Sequence, residues 1–129
     1  MVRAVRGAIQ VRDGAAESIE EAGARLAQEL LAANGIPMGD LVSLVFTLTR
    51  DLFAGNPATG ARRRIPGLAE VPLLCLQEAA VEGSLPRVVR LLVTFTVPAS
   101  GPRAAARPVP VYLDGAEALR PDLATGAGG

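Results

Sequence analysis

Residues 2–12 (VRAVRGAIQVR) alternate in polarity, with Val5, Gly7, Ile9 and Val11 on one face and Arg6, Ala8, Gln10 and Arg12 on the other. A period of two predicts a strand with one apolar face. Asp13 follows in the position of a helix N-cap, and Glu17, Glu20 and Glu21 suit the positive end of a helix. Ile19, Ala22, Leu26, Leu30 and Ala33 then recur at helical spacing. That spacing predicts an amphipathic helix over 15–34, stopped by Asn34-Gly35 and Pro37. Residues 41–49 (LVSLVFTLT) are β-prone and nearly all apolar, the pattern of a buried strand. Residues 50–70 read as an irregular connection, punctuated by Gly55, Pro57, Gly60, Pro66 and Gly67, with Arg62, Arg63 and Arg64 in its middle. Connections of about 20 residues are unusually long and are commonly functional. A short strand is expected over 71–76, a turn at Gly83 and Pro86, and the longest strand over 87–97 (RVVRLLVTFTV). A loop over 98–108 leads to a short edge strand at 109–113 (VPVYL), weakened by Pro110.

One long helix and about five strands predict an α+β fold, a mixed five-stranded sheet with the helix on one face. A single helix cannot cover both faces of so apolar a sheet, and an uncovered apolar face predicts an oligomer. One domain is expected over 1–129, with 119–129 a partly flexible C-terminal tail.

Composition narrows the chemistry. The 129 residues hold 13 basic and 13 acidic side chains, and every basic one is arginine. A net charge of zero with 3% aromatic residues makes nucleic acid a poor partner. With no histidine, the Ser-His and Cys-His nucleophile schemes and the commonest metal ligand are gone. Cys75 stands alone, so it forms no internal disulfide and no thiolate metal cluster. The N-terminus lacks an export signal, and no apolar run approaches the ~20 residues that span a bilayer. A cytoplasmic protein with no metal, cofactor or membrane partner is expected.

Arg90 lies inside the most apolar strand. A guanidinium remains charged when buried, so it must meet an anion or several acceptors. The ordinary reading is a structural salt bridge with Glu78, or an edge strand that lets the side chain reach water; the functional one is a fixed cation aimed at an anionic ligand. Arg6 is either a solvated strand arginine or a second fixed cation beside Gly7. Glu78 and Cys75 close the 71–78 segment, where a solvated carboxylate and a small core side chain are the ordinary roles. Arg62 to Arg64 form either a solvated patch or an anion gate. Tyr112 either packs or donates its phenol to a carboxylate.

The ordered blocks VRAVRGAIQV, NPATGAR (56–62), VPLLCLQE (71–78), GSLPRVVRLL (83–92), VYL (111–113) and LRPDL (119–123) carry a resemblance. From residue 2 to residue 123 the chain resembles the AroH-class monofunctional chorismate mutases. The resemblance implies that chorismate is rearranged to prephenate, in aromatic amino acid biosynthesis, with no cofactor. It puts Arg6 on a substrate carboxylate, Glu78 and Cys75 near the ring hydroxyl, and Arg90 at the ether oxygen of the breaking bond. Tyr112 becomes a second carboxylate contact and Arg120 lies near the mouth of the site. Ala58, Thr59, Leu74 and Leu119 join the substrate-binding surface, and either Arg62 or Arg63 is the loop gate. The NPAT segment departs from the family's loop, where a charged residue usually follows FPA. The resemblance also implies a homotrimer, a pseudo-α/β barrel with sites in clefts between subunits. Glu78 and Arg90 of one site are then expected to come from different chains. The rival reading is a non-catalytic trimeric module that binds an anionic metabolite.

Overall fold

The structure, a computed structural model, describes residues 1–122. Five strands form one mixed sheet: β1 (Val2–Gln10), β2 (Leu41–Leu48), β3 (Leu73–Gln77), β4 (Val88–Thr96) and β5 (Val111–Leu113), in the order β3-β2-β4-β1-β5. The central pairs β1/β4 and β2/β4 are antiparallel, and the outer pairs β1/β5 and β2/β3 are parallel. Among the described residues the sheet is accompanied by the helices α1 (Ala16–Ala33), α2 (Pro57–Arg64) and α3 (Pro102–Ala105). Short 3-10 turns occupy Met38–Asp40, Leu68–Glu70 and Ala116–Leu119.

The alternation of β1 decides which face is covered. Val5 and Ile9 are buried, and a Cβ on Gly7 would meet the Leu26 and Leu30 methyls of α1 at 3.2 and 3.1 Å. The same face carries Leu44 and Phe46 of β2 and Val89, Leu91, Val93 and Phe95 of β4, all in one core with Ile19, Leu26 and Leu30. On the reverse face only a small cluster forms, where Ala116 closes over Ala8 and Val88. Leu74, Leu76 and Leu92 on that reverse face are 62%, 52% and 43% exposed.

Several sequence expectations shift in the structure. The connection over 50–70 contains α2, and the loop over 98–108 contains α3, so among the described residues three helices accompany the sheet where one was expected. The Asn56 side chain accepts from the Ala58 N–H at 2.9 Å, and Pro57 opens the helix at the position that tolerates its missing N–H. Gly60 reads as a breaker in sequence, yet its lack of a side chain is what seats α2. A Cβ there would lie 1.9 Å from the Glu20 carbonyl oxygen of α1, and one on Gly23 would lie 2.3 Å from the Pro57 carbonyl oxygen. Two glycines thus let the helix backbones touch. Asp13 is not the N-cap of α1, which is Ala15; its carboxylate accepts from the Ala15 N–H at 2.9 Å. The Ser18 hydroxyl, followed by that N–H, holds the Asp13 carboxyl below its usual value. The 41–49 segment is not buried on both faces: Leu44 and Phe46 are enclosed, while Val45 and Thr47 on the reverse face are only half-buried. Of the expected tail, residues 123–129 lie outside the described residues.

Gly60→Ala should lower stability by about 1–3 kcal/mol, the scale of overpacking against an unyielding backbone. Gly39→Ala, where a Cβ would meet nothing within 4 Å, is the control. Urea unfolding midpoints check this; equal midpoints for the two variants would contradict the close contact of α1 with α2.

Candidate functional site

The reverse face of the sheet carries Arg6, Arg90 and Glu78. Register places Leu76, Thr47, Arg90, Ala8 and Tyr112 in one row across all five strands. The adjoining row is Leu74, Val45, Leu92 and Arg6. Arg90 and Arg6 are therefore diagonal neighbours, with Cβ atoms about 7–8 Å apart. Tyr112 stands two strands from Arg90, or about 10 Å, with the small Ala8 between them. Arg6 points into solvent from this face.

Glu78 comes to Arg90 from the end of β3. The Arg90 Nε lies 2.6 Å from the Glu78 Oε1, with the side chains 43% and 19% exposed. The same oxygen accepts from the Thr47 hydroxyl at 3.1 Å. Thr47 is the Cα partner of Arg90 on β2, so one strand pair sets both the cation and the donor that position the carboxylate. Sequence reasoning missed Thr47. Its only signal was a hydroxyl inside an apolar strand, and its partner lies 31 residues away. The expectation that Glu78 and Arg90 of one site come from different chains is corrected here, because the pair closes within one chain.

Cys75 sits differently from Glu78. It pairs with Phe46 on the covered face, where its side chain packs against the core. Burial pushes the thiol pKa up, so the sulfur is held as the neutral thiol. Its backbone faces elsewhere. The Leu44 N–H donates to the Pro72 carbonyl at 3.0 Å, and the Glu78 N–H donates to the Leu48 carbonyl at 2.9 Å. In a parallel ladder alternate residues turn both backbone groups to the same side. Even-numbered residues of β3 thus bond β2, and the N–H and C=O of Cys75 face the open sheet edge.

At the other end of the row, the Ala116–Leu119 turn brings Leu119 against the cluster that includes Tyr112. Arg120 follows, forked onto Asp122 at 3.2 and 3.0 Å. That carboxylate, with a smaller contribution from Tyr112, raises the Arg120 pKa above its ordinary value.

The α2 residues lie apart from these. α2 packs on α1, on the covered side of the sheet, with Ala58 buried in the main core. Thr59 is half-buried and Arg62 is exposed, while Arg63 is tied to Glu20 at 2.9 Å. One chain therefore does not bring Ala58, Thr59, Arg62 and Arg63 to the Arg90 row. An open cleft of about 350 Å³ begins at Glu78 and runs past Arg50, Asp51, Glu82 and Leu85, but Arg90, Arg6 and Tyr112 are not in its lining. Among the described residues, no group of three or more Cys, Asp or Glu is arranged to hold a metal ion.

Comparison with known proteins follows the same residues. The chain matches the family described as chorismate mutase type I over residues 2–123. It is 42% identical to Chorismate mutase AroH of Thermus thermophilus over 124 residues, 95% of this chain and 97% of that protein. Against Chorismate mutase AroH of Bacillus subtilis the identity is 34% over 123 residues, 95% and 93% of the two chains. A solved chorismate mutase from Clostridium thermocellum superposes with a TM-score of 0.80 at 33% identity, covering 91% of this chain and 99% of that one.

The raised thiol pKa makes a chemical prediction. A lower thiolate fraction means slower reaction at any given pH. Near pH 8, Cys75 in the folded protein should react with a thiol-specific disulfide reagent several-fold more slowly than in the urea-unfolded chain. Equal rates would remove the thiol from the core.

Proposed function

The chain belongs to the type I chorismate mutase family and is an isomerase that converts chorismate to prephenate, and from that premise we propose that the reaction occurs on the Arg90 face of the sheet. The product serves aromatic amino acid biosynthesis. The family match leaves the alternative of a non-catalytic binding module without support. The observation that carries the site is the Arg90–Glu78 pair, braced by Thr47 and flanked by Arg6 on the same face.

The rearrangement is concerted: the ether C–O bond breaks as a C–C bond forms, and no proton moves. Negative charge grows on the ether oxygen in the transition state. A fixed guanidinium there interacts more strongly with the transition state than with the substrate, which is the condition for acceleration. Arg90 takes this role. Its Nε faces Glu78, which leaves its terminal nitrogens to donate to the ether oxygen. Glu78 Oε1 already serves Thr47 and Arg90, so Oε2 accepts from the substrate hydroxyl. Residue 75 assists that hydroxyl through its edge-facing backbone rather than its thiol.

Arg6 and Tyr112 hold the substrate carboxylates and favour the compact conformer in which the reacting carbons meet. Arg120 reaches the mouth of the site by exchanging its exposed pairing with Asp122. Leu74 and Leu119 form apolar walls. Arg62 is the gate in preference to Arg63, because Arg63 is engaged by Glu20.

A homotrimer completes this proposal. The exposed Leu74, Leu76 and Leu92 call for a covering neighbour. The α2 residues, remote from Arg90 within one chain, would reach it from the adjacent subunit. A cyclic trimer repeats such a contact three times and closes on itself. The proposal includes a cytoplasmic location, where Cys75 remains a free thiol.

Arg90→Ala should lower turnover by about 10²–10³-fold, the scale for losing one oxyanion donor. Thr47→Val should cost less and act chiefly through the hydroxyl contact. Loss of chorismate absorbance measures both, and near-normal kcat in Arg90→Ala would overturn the electrostatic assignment.

Chain mixing tests the shared site. Arg90→Ala and Arg62→Ala chains, unfolded and refolded together in equal amounts, should recover about a quarter of wild-type activity, since each site draws one residue from each of two neighbours. Arg90→Ala mixed with Glu78→Ala should recover nothing. Recovery by the second mixture, or none beyond the parents by the first, would refute this division of residues.

A further inference from the structure

A second arginine cluster lies far from the Arg90 row. Arg3 of β1, Arg103 of α3 and Arg107 beyond it line a cavity of about 140 Å³. Asn34, Phe95, Val97 and Val109 supply neutral walls, and the lining contains no carboxylate. Arg103 NH1 is paired with Asp40 at 2.8 Å. Its NH2 is enclosed and has no protein partner, the one such side-chain atom among the described residues. Arg3 NH2 donates to the Ala104 carbonyl at 3.0 Å, which ties β1 to α3. Asn34 ties α1 to the following segment through Val109, accepting from its N–H at 2.6 Å and donating to its carbonyl at 2.9 Å.

We propose that this cavity is a second anion site, distinct from the substrate site, which takes a small oxyanion such as a phosphate or carboxylate group between Arg3, Arg103 and Arg107. The physical case is electrostatic. Three arginines with one carboxylate, Asp40, among their partners leave an excess of two positive charges around the cavity. An oxyanion there offsets the excess, which a water would leave standing. Arginine forks suit such oxygens. The anion would clamp the 98–109 segment onto β1 and α1, and a ligand that binds only the folded state raises its stability.

The test is thermal unfolding of the full protein at constant ionic strength, with chloride exchanged for inorganic phosphate or for acetate. A saturable rise in Tm is expected with at least one of them. Phosphate alone saturating identifies a phosphoryl ligand, and acetate doing so identifies a carboxylate. In Arg107→Gln the midpoint concentration should rise by about tenfold or more, the scale for one charge-assisted hydrogen bond, while chorismate turnover stays unchanged. In Arg90→Gln the saturable response should persist, which separates it from anion binding at the substrate site. A Tm that climbs linearly with either anion and equally in Arg107→Gln overturns the proposal. So does a response that Arg90→Gln abolishes.

Discussion

A five-stranded sheet has two faces to cover, and the helices α1 and α2 among the described residues cover one of them. α1 and α2 lie on the side where Val5, Gly7 and Ile9 point, and they enclose a core running from Ile19 to Phe95. The reverse face keeps Leu74, Leu76 and Leu92 in solvent. Everything distinctive about the molecule follows from that imbalance. The uncovered face is where a charged residue survives inside a sheet, because its head reaches water or a ligand there instead of the core.

Arg90 shows how the constraint becomes chemistry. Its neighbours along β4 alternate between the core and the open face, and parity alone sends its side chain outward. Once there it is held from below by strand pairing with Thr47 and from the side by Glu78. A half-exposed ion pair of this kind contributes little to stability. What it gives is a cation whose direction is fixed before substrate arrives, and preorganisation of that kind suits a reaction in which charge develops without any proton transfer. The absence of histidine, an obstacle for most catalytic schemes, costs this one nothing.

The covered side has its own constraint in the contact between α1 and α2. Gly23 and Gly60 remove the side chains that would hold the two backbones apart. The close fit keeps Arg62 to Arg64 on the far side of the sheet from Arg90. Separation of the two residue sets in one chain, together with the open apolar face, is what makes a neighbouring subunit part of the proposed site.

Periodicity in the sequence determined the strands, the long first helix and the edge position of the 111–113 strand. Composition excluded histidine-based and thiolate-cluster chemistry, and the ordered motifs carried the family. Tertiary structure decided what periodicity does not encode. Gly60 reads as a helix breaker because a sequence shows what a residue disfavours locally, not which backbone will press against it. Thr47 was silent because its partner approaches across the sheet. Cys75 and Glu78 look like one motif in sequence, but they are three residues apart on a strand of period two, so their side chains part to opposite faces. The chain that supplies Glu78 to Arg90 also followed from register, which depends on long-range pairing of β2 with both β3 and β4.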